Sequence, residues 1–142
     1  IEGTIEKATV QFIIRDFDSA MLATHEERLR ALVTETAKEF PGIGTEFVIK
    51  EQYRNMKEVL DTVPFVMDNA EEAYKRAGMQ AVRMSVRGGT DGSRLSFMGL
   101  PCPNLFTGEM GIHSKQEYVS VQDMEKAVEM LVHLAQLWEE KA

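Results

Sequence analysis

Between Arg87 and Ser93 the chain reads Arg-Gly-Gly-Thr-Asp-Gly-Ser, three glycines in five positions. Glycine permits backbone geometries and close approaches that a side chain would block, so a ligand or another backbone is expected against this loop. If the loop opens a helix, free amides and the helix dipole converge on one spot, and Arg87 adds a forked cation suited to a carboxylate. A peptide carboxylate would fit there, and a tight structural turn is the equal alternative. The string lacks the Gly-Lys-Ser/Thr ending of a phosphate-binding loop and the Gly-x-Gly-x-x-Gly of a dinucleotide turn, which disfavours nucleotides.

The chain has three histidines, His25, His113 and His133. His25 falls on the charged face of a long helix and His133 on the last helix, where solvated or packing roles account for them. His113 sits in a glycine-bearing loop, Gly108 to Ser114, near Glu109 and Glu117, where an imidazole can reach a metal from an adaptable backbone. A zinc ion needs three or four protein ligands, yet the sequence offers no His-Glu-x-x-His, no His-x-Asp and no cysteine pair. A complete metal centre is therefore not expected within these residues. Cys102 lies between Pro101 and Pro103 without a local base, the setting of a buried thiol rather than a nucleophile.

The elements that must position these groups follow from periodicity and punctuation. Ala8 to Arg15 alternates with Val10, Phe12 and Ile14 on one face, predicting a half-buried strand. Asp18 can cap a helix carrying Met21, Leu22, Leu29, Leu32, Val33 and Phe40, which Pro41-Gly42 stops. Thr45 to Lys50 alternates again, completing a strand, helix, strand unit. Pro64 suits the first turn of a helix running to about Ala77, with Gly78 as its left-handed stop. Gln80 to Val86 predicts a strand, Leu95 to Met98 a short helical turn, and Asn104 to Thr107 a short strand weakened by its flanking prolines. Ser120 caps the last helix, whose apolar stripe of Met124, Ala127, Val128, Leu131, Leu134, Ala135 and Trp138 predicts core packing.

Composition bounds the function classes. The chain has 142 residues, 44% of them hydrophobic, enough for one ordinary domain or two small units with a buried core. Its formal net charge of −7 opposes the phosphate contacts that nucleic acid or an anionic membrane demands, so neither is an expected partner. A single cysteine and the lack of a leader-like segment make a reducing cytoplasm the default expectation, although a start at Ile1 rather than Met suggests a fragment.

Three strings go further: Phe12-Ile13-Ile14-Arg15-Asp16-Phe17-Asp18, Tyr53-Arg54-Asn55-Met56, and Arg87 to Ser93 running on through Leu95-Ser96-Phe97-Met98-Gly99-Leu100-Pro101-Cys102-Pro103-Asn104-Leu105-Phe106-Thr107-Gly108. In this order, over nearly the whole chain, they resemble the peptidase T family of two-zinc tripeptide aminopeptidases. The resemblance implies an α/β protein: residues 1–57 as the second half of a βαββαβ lid sandwich that mediates homodimer contacts, and residues 58–142 as the C-terminal αβ portion of the catalytic domain. It implies His113 as the last zinc ligand, Arg15 and Asn55 as residues holding the substrate backbone, and Arg87, Gly88 and Gly89 as borders of the substrate pocket. The family has an aromatic residue before that histidine and Gly-Lys after it, where this chain has Ile112 and Ser114-Lys115. No catalytic residue is expected here, because the family's bridging Asp, general-base Glu and remaining ligands lie upstream. The parent would be a cytoplasmic enzyme with two zinc ions per subunit that cleaves the N-terminal peptide bond of a tripeptide, a small peptide being its partner, and the isolated chain would be inert. The alternatives are a dipeptidase or amino-acid deacylase of the same clan, or a non-catalytic dimerisation or ligand-binding module.

Overall fold

A computed structural model of the chain describes Glu2–Gly3, Glu6–Val86 and Gly88–Ala142. It divides into two compact units, residues 1–55 and 56–142.

In the first unit, strands β1 (Glu2–Gly3) and β2 (Ala8–Thr9) pair antiparallel, Glu2 opposite Thr9 and Gly3 opposite Ala8. Helix α1 follows over Ser19–Lys38 and begins where the sequence says it should: Asp18 is extended, and its Oδ1 accepts the Ala20 N–H at 2.8 Å, satisfying an amide that the helix cannot. The helix ends just ahead of Pro41, and Gly42 turns the chain with φ of +90°. From within the helix, the Arg30 guanidinium lies 4.6 Å from the centre of the Phe47 ring. The strand expected over Ala8 to Arg15 is paired only at Ala8–Thr9, and Thr45 to Lys50 carries no ladder. Alternation marks a segment able to half-bury itself, but a ladder also needs a partner edge, and the described residues supply none. Phe12 and Ile49 accordingly stay 61% and 46% exposed.

The second unit is built on two helices. After a single turn, α2 (Lys57–Leu60), helix α3 spans Pro64–Arg76 with the proline in its first turn. Gly78 closes it at φ of +72°, and the Lys126 ammonium donates to the Ala77 carbonyl at 3.0 Å, neutralising the helix end. Helix α4 covers Asp91–Phe97, a turn earlier than the sequence suggests. A hairpin of β3 (Glu109–Met110) and β4 (Tyr118–Val119) precedes helix α5 (Val121–Glu140), which Ser120 caps by accepting the Asp123 N–H at 3.0 Å.

The core is the seam between α3 and α5: Ala73, Ala77, Met130 and Leu137 are buried, with Tyr74, Met79, Leu105 and Leu134 packed around them. The alanines let the helices approach closely, and Phe65 meets Trp138 edge-on at 5.8 Å. This corrects the expected stripe on α5. Leu134 and Ala127 do turn inward, but Met124, Val128, Leu131, Ala135 and Trp138 are exposed, while the fully buried residues are Met130 and Leu137, one position away. The helix is apolar over more than one stripe, and α3 covers only one of them.

Two further strand expectations give way. Gln80 to Val86 is unpaired among the described residues and is held to α3 by Arg83, which bonds Glu71 and lies 3.7 Å from Asp68. Asn104 to Thr107 forms no ladder either, because the Phe106 N–H donates to the Tyr74 hydroxyl at 2.5 Å. Among the described residues, no helix is long and apolar enough to cross a membrane.

Candidate functional site

Five of the six residues singled out in the sequence lie within the described structure, Arg87 falling outside it. Arg15 and Asn55 belong to the first unit, and Gly88, Gly89 and His113 to the second.

In the first unit the geometry centres on the turn just after Arg15. The Asp16 Oδ1 accepts the Asp18 N–H at 2.9 Å, and its other oxygen lies 3.0 Å from the His25 Nε2, one and a half turns into α1. Asp18 in turn caps the helix, so two carboxylates in three residues tie the chain to its first turns. The Asn55 Nδ2 donates to the Phe17 carbonyl at 2.8 Å, bringing the end of the unit onto the same turn. Arg15 itself is exposed beside it. The Asp18 amide, followed by the His25 ring, holds the Asp16 carboxyl below the usual carboxylate range, since both favour its charged form. The sequence reading assigns His25 a solvated or packing role and does not find this bond. An aspartate two residues ahead of an N-capping aspartate was the available sign that the turn is a built one.

In the second unit, Gly88 and Gly89 are exposed, and a side chain at Gly88 would meet nothing within 4 Å. The close approach that the glycine run suggested occurs instead at Gly92, where a Cβ would sit 2.4 Å from the Cys102 carbonyl oxygen. Ser96 fastens the same contact. Its hydroxyl donates to the Gly92 carbonyl at 2.7 Å and accepts the Cys102 N–H at 3.0 Å. The loop thus runs into a short helix whose register against Cys102 is fixed by backbone contact. Thr90, at the N-cap of α4, makes no side-chain capping bond, and its buried hydroxyl has no hydrogen-bond partner among the described residues.

His113 stands in the loop that joins β3 to β4. Its φ of +62° lies in the left-handed region, sparse for residues with a side chain, and its N–H donates to the Glu117 Oε2 at 2.7 Å. Gly111, also left-handed, and the Ser114 hydroxyl bonded to the Gly111 carbonyl complete the loop. The imidazole is therefore carried, exposed, on a backbone with specific support. Among the described residues no group of three or more His, Cys, Asp or Glu side chains could hold a metal ion. These residues do not fit a zinc centre by themselves.

Sequence comparison gives the class of protein. Residues 3–137 match the peptidase family M20/M25/M40, and the chain belongs to that family. Within it, the chain is similar to proteins named peptidase T: 44% identical over 99% of its length to that of Clostridium perfringens. The corresponding figures are 42% over 99% for Caldanaerobacter subterraneus and 40% over 96% for Escherichia coli. It spans about a third of those relatives, 35% of the first and 34% of the other two.

Proposed function

We propose that this chain is the part of a tripeptide-cleaving, metal-dependent aminopeptidase that supplies substrate-holding groups and one metal ligand. The observation that carries the reading is the similarity to proteins named peptidase T over nearly all of the chain, joined to the placement of His113 on a supported loop. In this reading His113 contributes one imidazole to a zinc pair, the remaining ligands and the general base coming from the rest of the longer protein. Bound zinc lowers the pKa of a water and polarises a carbonyl. Arg15, Asn55, Arg87 and the Gly88-Gly89 backbone hold and orient the peptide, so their contribution is positioning rather than bond breaking. The longer protein would work as a cytoplasmic homodimer, with residues 1–57 in the lid that joins the subunits.

The test uses the full-length protein loaded with zinc or cobalt. His113→Ala should lose bound metal, read by elemental analysis, and tripeptide cleavage with it. Full metal content and retained activity in that variant would remove His113 from the centre. A panel of dipeptides, tripeptides and acylated amino acids separates the tripeptidase from a dipeptidase or deacylase.

A further inference from the structure

We propose that Asp16 and His25 are positioning residues for substrate binding, setting through the turn at Asp16–Phe17–Asp18 the direction in which Arg15 is presented. The inference rests on the reading of Arg15 as a residue that holds substrate.

Three hydrogen bonds converge on this turn. Asp16 takes the Asp18 amide at 2.9 Å, His25 meets the second Asp16 oxygen at 3.0 Å, and Asn55 donates to the Phe17 carbonyl at 2.8 Å. Each fixes a different group of the turn: a side chain with its downstream amide, that side chain against α1, and a backbone carbonyl. Asp18, the turn's last residue, is itself bound to α1 through the Ala20 amide. The peptide unit leaving Arg15 is therefore held at its far end by a clamp rooted in a helix of twenty residues. An arginine has many rotamers, and an anchored Cα–Cβ direction restricts the volume its guanidinium can search, which lowers the entropy lost when it grips a ligand. The side chains of Asp16 and His25 are 28% and 37% exposed, so water does not fully screen their contact. Asn55, the other residue assigned to the substrate backbone, bonds the very turn that follows Arg15. Asn55 and the backbone that leaves Arg15 are thus tied to one piece of structure.

The test measures kcat and KM of the full-length metal-loaded protein on a tripeptide. Asp16→Ala should raise KM by about two- to tenfold with kcat nearly unchanged, the size expected when one rotamer-rich side chain must be ordered on binding. His25→Leu should do the same, whereas His25→Gln, which keeps a donor, should restore KM towards the parent value. In an Arg15→Ala background, Asp16→Ala should add nothing further. Additive effects in that cycle, or a fall in melting temperature without a rise in KM, would overturn the proposal. If Arg15→Ala raises KM but neither Asp16→Ala nor His25→Leu does, the positioning role fails and the substrate role of Arg15 stands. If Arg15→Ala leaves KM unchanged, both fail. Should Asp16→Ala not fold, Asp16→Asn retains the oxygen for the Asp18 amide and the His25 variants carry the comparison.

Discussion

Arg76 and Glu140, the last residues of α3 and α5, are joined by two parallel bonds, from the guanidinium Nη1 and Nη2 to the two carboxylate oxygens at 2.9 and 2.8 Å. A carboxylate at a helix C-terminus faces the negative end of the helix dipole, and a guanidinium there is favoured; the pair offsets the first with the second. The fork geometry makes it more than a casual surface contact. Arg76 also reaches Glu72 one turn back, so the clasp is anchored on α3.

That clasp should give the chain an acid-sensitive stability. Arg76, and after it Lys141, holds the Glu140 carboxyl below its ordinary value of 4.5. A group whose pKa is lowered by folding contributes fully above its unfolded value, and the contribution is lost as pH falls through the lower folded value. Melting temperatures of the parent chain should therefore drop on acidification below about pH 4.5, beyond what Glu140→Gln shows. Parallel pH profiles for the two proteins would count against the clasp.

The two apolar stripes of α5 should respond oppositely to truncation. Met130 is 0% exposed in the seam with α3, and Met130→Ala should cost about 2–5 kcal/mol through lost transfer energy and a cavity. Met124 is 45% exposed, and Met124→Ala should change stability by less than about 0.5 kcal/mol. Chemical denaturation of both variants checks the assignment, which reverses if Met124 proves the costlier site.

Gly108 and Gly78 share a left-handed backbone but not a neighbourhood. At Gly108, φ is +81° and a Cβ would lie 2.2 Å from that of Asp123, while at Gly78 nothing stands within 4 Å. Gly78→Ala should cost roughly 1 kcal/mol of backbone strain alone. Gly108→Ala adds a clash beside the Asp123 that the Ser120 hydroxyl also contacts at 2.7 Å, and should cost about 1–3 kcal/mol more. Equal losses in the two variants would mean that the Asp123 contact yields.

The parts of the fold legible in the sequence are those decided locally. Asp18, Pro64, Gly78 and Ser120 each mark a helix end because a cap answers to the amides and carbonyls within a few residues of it. The strands were not legible in this way, since alternation in Gln80 to Val86 says nothing about whether an edge is available to pair with it. The Phe106 amide shows the same limit: a tyrosine hydroxyl thirty-two positions away takes it, and no window of sequence contains both. On α5, neighbouring stripes are both apolar, so hydrophobicity could not choose which one α3 would cover. Arg15 and Asn55 are marked by the strings they stand in and His113 by its glycine-bearing loop, whereas the Asp16–His25 pair becomes visible only when the turn folds back onto α1.

Gly92 has a consequence for how sites of this kind can diversify. With the Cys102 carbonyl against its α-carbon and the Ser96 hydroxyl bridging both strands of backbone, the spacing between the glycine loop and the proline-flanked segment is set by backbone contact and one short side chain. A side chain at position 92 could fit only if the whole Cys102 segment moved away from the helix.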